Sequence, residues 1–295
     1  MLSKNELNQL KKFAIEIRLE TLIAIKNLGF GHIGGAMSIV ETLAVLYGKV
    51  MNINPEEPHW EERDWLVVSK GHAGPAVYAA LALKGYFPKE ELSTLNQPNT
   101  HLPSHCDRNK TVGIDMTTGS LGQGISTAIG VALGNRLNKK NNDIYLILGD
   151  GECDEGQIWE GALFAHHHKL SHLITFIDNN KKQLDGYTKD INDLGNIGKK
   201  FASFGWHVQD VDGKDLEKID EAIKKAKKVK DKPSVIVLDT IKGQGIKFVE
   251  DAMANHHMRF SDAEHKEAAK CIFELENSLR DYQDSFIIKQ GGEGK

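Results

Sequence analysis

Apolar residues are laid out along this chain in two rhythms. Near the N-terminus, Leu7, Leu10, Phe13, Ala14, Ile17 and Ile25 recur at helical spacing, which predicts an amphipathic helix ending at Gly29. Ser3 and Glu6 stand just ahead of it at the spacing of a capping box, where each side chain satisfies a free backbone N–H of the first turn. A second helix is expected over 38–48. The run 65–69 reads as a short strand, followed by an Ala- and Leu-rich helix to about Lys84. The stretch 97–113 is loop-like, and a helix of small residues with Ala128, Gly130, Ala132 and Gly134 comes later. Runs 144–148 and 173–177 are apolar throughout, without alternation. Strands covered on both faces read this way, because both sets of their side chains meet helices. Two further strands are expected at 206–211 and 235–238, around a charged helix at 216–228, and a terminal helix at 259–279. Strand and helix alternate along the whole chain. The expected fold is therefore α/β, in three layers, with a mainly parallel sheet and helices on both faces. No repeat and no Pro- or Ser-rich linker divides it, so 1–295 reads as a single domain with a flexible tail near 288–295.

Bulk chemistry narrows the function classes. The 295 residues carry a formal net charge of −4, with a pI near 6.4. No electrostatic footprint for nucleic acid or an anionic membrane follows from that balance. No apolar run approaches the roughly 20 residues of a spanning helix. The first residues open a polar helix and not a signal peptide. Cys106, Cys153 and Cys271 are odd in number and widely spaced, which is no disulfide framework and fits a reducing, cytoplasmic location.

The informative chemistry sits at two strand ends. Gly149-Asp150-Gly151 closes the 144–148 strand, and Asn180 closes the 173–177 strand, thirty positions later and beyond one crossover helix. In a right-handed strand–helix–strand unit both ends lie on one edge of the sheet, the edge where open α/β sheets bind ligands. Asp150 and Asn180 should therefore meet. A carboxylate, an amide oxygen and a nearby backbone carbonyl suit Mg²⁺, a hard cation that takes oxygen ligands and bridges phosphates. Glycines on either side of Asp150 allow close backbone approach to a diphosphate, and the helix after Gly151 would present its N-terminal N–H groups to it. Two other signals fail their context. Gly29-Phe30-Gly31-His32-Ile33-Gly34 matches a dinucleotide fingerprint by letter but follows a helix. His166, His167 and His168 are consecutive on a helix and point in different directions.

A Gly-Asp-Gly followed about thirty residues later by asparagine resembles the thiamine-diphosphate signature. Ser69-Lys70-Gly71-His72-Ala73, Thr117-Thr118-Gly119-Ser120-Leu121-Gly122-Gln123-Gly124, Glu155-Gly156 and Leu184-Asp185-Gly186 resemble transketolases specifically, in the family's order, over roughly 7–259. The resemblance implies the diphosphate-binding fold of that family. It also implies a thiamine diphosphate cofactor with Mg²⁺, or Ca²⁺ or Mn²⁺ in its place, and transfer of a two-carbon ketol unit from a ketose to an aldose. By resemblance, Asp150, Asn180 and the carbonyl of Lys182 would bind the metal; the family often has a hydrophobe at the last position. Gly149 and Gly151 would lie against the diphosphate, and Gly119 and Leu121 against the cofactor. Glu155 would sit at the subunit interface, in a carboxylate network. His32, His72, His105 and His256 match positions that face cofactor and sugar, where histidine can donate and accept protons near neutrality.

Two of these histidines stand in altered surroundings. The chain has Ser104-His105-Cys106 where the family has Gly-His-Pro, and Asn255-His256-His257 where it has Trp-His-Gly, so His256 and His257 both stay open. Lys70 and Lys242 stand beside the motifs and could neutralise phosphate; Gly243 and Gly245 suggest that Lys242 rides a flexible loop over the site. Full-length transketolases continue into a pyrimidine-binding domain. The expectation is a separate C-terminal subunit, an α₂β₂ assembly and sugar phosphate substrates. A 2-oxoacid dehydrogenase-like or deoxyxylulose-phosphate synthase-like chain, and a non-catalytic scaffold, stay open as alternatives.

Overall fold

The computed structural model describes residues 2–290, with side chains to Tyr282. The tail expected near 288–295 lies mostly outside the described residues. The first helix, Lys4–Leu28, starts on the expected capping box, with Glu6 N–H donating to Ser3 Oγ at 3.2 Å and Ser3 N–H to Glu6 Oε2 at 2.8 Å. It stops at Gly29, whose left-handed backbone (φ +82°) closes the last turn.

Strands β1 (Phe30–Gly31), β2 (Trp65–Val68), β3 (Ile144–Gly149), β4 (Leu173–Asn179), β5 (His207–Asp212), β6 (Ser234–Asp239) and β7 (Met258–Arg259) follow in chain order. Five of them form one parallel sheet in the order β2-β3-β4-β6-β5. The antiparallel pair β1–β7 was not legible in the sequence, since two-residue strands carry no periodicity. The helix expected over 38–48 appears as Val40–Val45 continued by a π-helical turn at Leu46–Val50, and a short helix not expected from the sequence, Ile33–Met37, precedes it. The terminal helix runs Asp262–Gln290, longer than expected.

The unbroken apolar runs are explained by the layers. Successive strand residues feed two separate cores. Tyr145, Ile147, Ile174, Phe176, Ile236 and Leu238 face the first helix and the Leu216–Ala226 helix. Ile144, Leu146, Leu148, Ile177, Val235 and Val237 face the Gln123–Leu137 and Gly156–His167 helices. Each fully buried aliphatic side chain contributes about 1.5–3 kcal/mol by leaving water, so both faces select against polar residues. The three cysteines are free, and no described helix is long and apolar enough to cross a membrane.

Loops beyond the strand ends are stacked by backbone contacts. Cys106 N–H donates to the Gly71 carbonyl at 3.2 Å, and Thr118 N–H to the Cys106 carbonyl at 3.0 Å. A Cβ on Gly71 would lie 2.6 Å from the carbonyl carbon and oxygen of Thr118. Backbone cannot retreat as a side-chain tip can, so Gly71→Ala should destabilise the chain by about 1–3 kcal/mol. A lowered urea midpoint at unchanged slope would register it; an unchanged midpoint would contradict the packing described.

Candidate active site

β3 and β4 end level with one another. Gly149 pairs in register with Asp178, and Asp150 N–H donates to the Asp178 carbonyl at 3.2 Å. The Asp150 carboxylate turns back over this edge, accepting Gly151 N–H at 2.8 Å and Lys181 N–H at 2.5 Å. Asp150 is thereby bonded to the residue next to Asn180. Asn180 Oδ1 accepts Lys182 N–H at 3.1 Å. Gly149, Asp150, Gly151, Asn180 and Lys182 line one cavity of about 160 Å³ with Lys70, His72, Leu121, Lys242 and His256.

Two buried carboxylates hold this edge together. Asp178, with no exposed surface, accepts Lys70 Nζ at 2.5 Å, Ser38 Oγ at 2.6 Å, Asn180 Nδ2 at 2.7 Å and Thr240 Oγ1 at 2.5 Å. Burial alone would raise its pKa, but the Lys70 ammonium and the hydroxyl donors outweigh that and hold it low. Glu152 accepts the Ser69 hydroxyl, Gly122 N–H at 2.9 Å and Gly149 N–H at 3.0 Å. Those bonds tie the end of β2, the loop carrying Leu121 and the end of β3 to one side chain. Burial raises the Glu152 pKa against those bonds.

Sequence reasoning passed over both residues. Glu152 is one of three acids in Glu152-Cys153-Asp154-Glu155, and nothing in their order marks which is buried. Asp178 ends an apolar run, a weak signal for a satisfied buried charge. Lys70, expected as a candidate phosphate partner, is 2% exposed and committed to Asp178 and to the Gly35 carbonyl at 2.8 Å.

The Lys242 segment is anchored and not the loose loop expected. Lys242 and Gln244 are buried, Gly243 N–H donates to the Gly34 carbonyl at 3.0 Å, and Arg18 Nε donates to the Gln244 carbonyl at 3.2 Å. Lys242 Nζ donates to the Lys182 carbonyl at 2.9 Å and lies 3.2 Å from His256 Nδ1. Burial first, then Lys70, bring its pKa down to about 8, against the pull of Asp150 and Asp178. Burial and the Asp178 charge push Asp150 up to about 6.

His32, His72, His105 and His256 gather in one cluster. Ring centroids of His32 lie 5.6, 5.1 and 5.4 Å from those of His72, His105 and His256, and His72 lies 4.6 Å from His256. His257 joins from the outside, 4.7 Å from His32 and 5.8 Å from Phe30, while His256 lines the cavity. Of the two open histidines, His256 faces the Asp150–Asn180 edge. Tyr78 Oη fixes the His105 loop by donating to the Pro103 and His105 carbonyls. Gly119 has φ +138°, and a Cβ there would meet His105 Cδ2 at 2.9 Å, so glycine is needed for both conformation and space. Burial is the leading cause that lowers each ring's pKa. His32 falls to about 4, aided by His257 and His105, and His256 to about 3, aided by Lys242. His72 and His105 are lowered too. His32, His72, His105 and His256 are neutral near pH 7, and neutral imidazole can both accept and donate.

Leu121 forms the cavity rim, 37% exposed. Glu155 lies outside the cavity, exposed at the head of the Gly156–His167 helix.

The donor set suits a hard cation. Asp150, Asn180 and Lys182 line one cavity and offer a carboxylate, an amide oxygen and a carbonyl, the last accepting Lys242 Nζ in this structure; this all-oxygen set favours Mg²⁺, Ca²⁺ or Mn²⁺ over zinc. Two ammonium groups, Lys70 and Lys242, and the glycines at 149 and 151 line the same cavity, as a diphosphate would require. The residues fit a metal–diphosphate. Fold and site together define a class: α/β proteins that seat a phosphorylated cofactor at the carboxyl edge of a parallel sheet.

Comparison with known proteins narrows that class. The family described as "Transketolase, thiamine diphosphate binding domain" matches residues 10–282. The chain is 56% identical, over 88% of its own length and 94% of the relative's, to the 6-deoxy-6-sulfo-D-fructose transketolase subunit SqwG of Clostridium sp. (strain MSTE9). It is 38% identical, over 87% and 92%, to an apulose-4-phosphate transketolase subunit of Actinobacillus succinogenes. Among solved structures, the transketolase of Campylobacter jejuni superposes with a TM-score of 0.81 at 25% identity, over 96% of this chain and 48% of that one. The Pichia stipitis transketolase complex with sedoheptulose 7-phosphate gives 0.79 at 28%, over 97% and 47%. This chain thus spans about half the length of those solved transketolases. It belongs to the transketolase family, in the thiamine diphosphate binding domain.

The histidine cluster has a consequence for stability. Unfolded histidines take up protons near pH 6.5, whereas folded His32 and His256 resist until about 4 and 3. Between those values the unfolded state binds more protons, so stability present above pH 6.5 is lost as pH falls. Asp150, raised from 3.8 to about 6, has the opposite sign and offsets part of the loss. Replacing both histidines by glutamine should therefore shrink the drop in unfolding free energy between pH 7 and pH 5. Urea titrations at the two pH values measure it; an undiminished drop would place the acid sensitivity elsewhere.

Proposed function

We propose that this chain is one single-domain subunit of a two-chain transketolase, holding Mg²⁺ and the diphosphate of thiamine diphosphate, and active only with a separate pyrimidine-binding subunit. The observation that carries this reading is the meeting of Asp150 and Asn180 at level, adjacent strand ends in one cavity. The subunit names of the relatives at 56% and 38% identity support the split, as does the near-complete cover of their lengths. An α₂β₂ heterotetramer in the cytoplasm, serving pentose phosphate or related sugar metabolism, completes the proposal.

Asp150, Asn180 and the Lys182 carbonyl would hold the cation, with Gly149 and Gly151 against the diphosphate. Thiamine diphosphate, when bound, supplies the carbon–carbon bond chemistry by which a ketol unit passes from a ketose to an aldose. The neutral histidines His32, His72, His105 and His256 would orient the sugar hydroxyls and move their protons. Leu121 and Gly119 would shape the cofactor's seat, and exposed Glu155 would reach the partner's carboxylate network. Lys242, with a pKa brought to about 8, would balance phosphate charge while remaining mostly protonated at pH 7.

The donor is proposed as a ketose with an anionic far end, phosphate or sulfonate. The 56% relative is named for 6-deoxy-6-sulfo-D-fructose. The two departures from the family pattern converge on one ring: Ser104 Oγ lies 3.5 Å from His32 Nδ1, and His257 stands 4.7 Å from the same imidazole. These changes flank the sugar-facing side, so they bear on the choice of donor more than on the cofactor.

Co-expression with the pyrimidine-binding chain, followed by ketol-transfer assays with 6-deoxy-6-sulfofructose and fructose 6-phosphate, tests this directly. Activity is expected in the complex and not in either chain alone. Asn180→Ala should weaken Mg²⁺-dependent thiamine diphosphate binding by roughly 10-fold or more. Rapid transfer by this chain alone, or pyruvate decarboxylation in place of ketol transfer, would overturn the proposal.

A further inference from the structure

Asn180 can act as a cation ligand only if its amide faces the right way, and Asp178 holds its nitrogen end while the Lys182 N–H marks its oxygen end. An amide's oxygen and nitrogen ends are nearly the same size, so shape alone does not choose between them. A carboxylate can only accept. Asp178 Oδ2, fully buried, lies 2.7 Å from the Asn180 amide and compels Nδ2 to turn inward. Asn180 Oδ1 is left on the cavity side, where Lys182 N–H donates to it at 3.1 Å.

Asp178 is itself immobilised by three other segments. Ser38 comes from the turn after the Ile33–Met37 helix, Lys70 from beyond β2, and Thr240 from beyond β6. Its side chain shares a face of β4 with Ile174 and Phe176, and it is fully buried beside Lys70 and Asn180, which line the cavity, without lining it itself.

We infer that Asp178 is a positioning residue that makes Asn180 a cation ligand by fixing its amide orientation. This rests on the proposed metal–diphosphate site. In Asp178→Asn the partner can donate as well as accept. The Asn180 amide then keeps only the Lys182 N–H as a one-way partner, and arrangements that present N–H groups to the cation become accessible. The cost appears in Mg²⁺ affinity, while the fold's shape is kept.

The test uses the full chain, titrated with thiamine diphosphate across a Mg²⁺ series and read by calorimetry, with urea midpoints measured in parallel. D178N should weaken Mg²⁺-dependent binding by roughly 10- to 100-fold, the usual range for a residue that orients a metal ligand. The swapped pair D178N/N180D supplies the decisive comparison. Asp at 180 shows oxygen to the cation whichever way it turns, so the swap should recover most of the lost affinity. A role limited to neutralising Lys70 predicts that the swap binds as poorly as D178N. If D178N does not fold, K70M/D178N against K70M makes the same comparison with the unpaired ammonium removed. Parental binding with no Mg²⁺ dependence would sink the metal–diphosphate reading itself. Normal parental binding matched by D178N, or a swap that recovers nothing, would overturn this inference alone.

Discussion

Two parallel strands that stop at the same level create this site. β3 and β4 are neighbours in register, so Gly149 stands opposite Asp178 and the chain leaves both strands on one edge. Everything chemical is hung from that edge: Asp150 one residue beyond β3, Asn180 one beyond β4, Lys70 two beyond β2, and Lys242 three beyond β6. Parallel pairing imposes this convergence, because a right-handed crossover returns every strand in the same direction. A two-residue slip of β4 would carry Asn180 along the sheet by about 6–7 Å and separate it from Asp150.

The edge then has to manage charge on side chains that are largely buried. Asp178 and Lys70 neutralise one another with essentially no exposure, while Asp150 and Lys242 are each pushed toward their uncharged forms by burial. The protein holds acids and ammonium groups in near balance around a small cavity, and neither sign is fully relieved. A dication bound to a diphosphate would relieve both, the metal by stabilising ionised Asp150 and the phosphates by stabilising protonated Lys242. Such mutual frustration favours a bound pair over either ion alone. Glu152 adds rigidity: by accepting from Ser69, Gly122 and Gly149 it fixes three cavity walls with one side chain, so the cavity need not be assembled at the moment of binding.

Much of this was legible in the sequence because it depended on period and punctuation. Unbroken apolar runs at β3 and β4 identified buried parallel strands, and Gly149-Asp150-Gly151 and Asn180 marked their ends. What escaped depended on contacts between distant segments. The helix expected from Ser38 starts two residues later, at Val40, because Ser38 sits in a turn where its hydroxyl donates to Asp178, 140 positions away. Lys70 looked free because its partner lies 108 positions on. Gly243 and Gly245 suggested a loose loop. Their positive φ values instead fit a tight path pinned by Arg18 and Gly34. His256 and His257 could not be told apart by letter; the fold separates them by sending one into the cavity and the other out toward Phe30.

The site is finished on one side and open on the other, and the difference follows its chemistry. Its inner wall is built of charges satisfied by hydrogen bonds. Its rim carries apolar side chains in water, Leu121 at 37% and Leu184 at 64% exposure, with Glu155 exposed beyond them. A ligand with a doubly anionic end and an aromatic end matches that gradient, its phosphates meeting the wall and its rings meeting the rim. Exposed leucines beside a polar cavity lose hydration cost when covered. Covering them by cofactor rings and by an apposed chain would therefore favour the same arrangement, with the charged end fixed first by this chain and the reactive end enclosed by what packs against it.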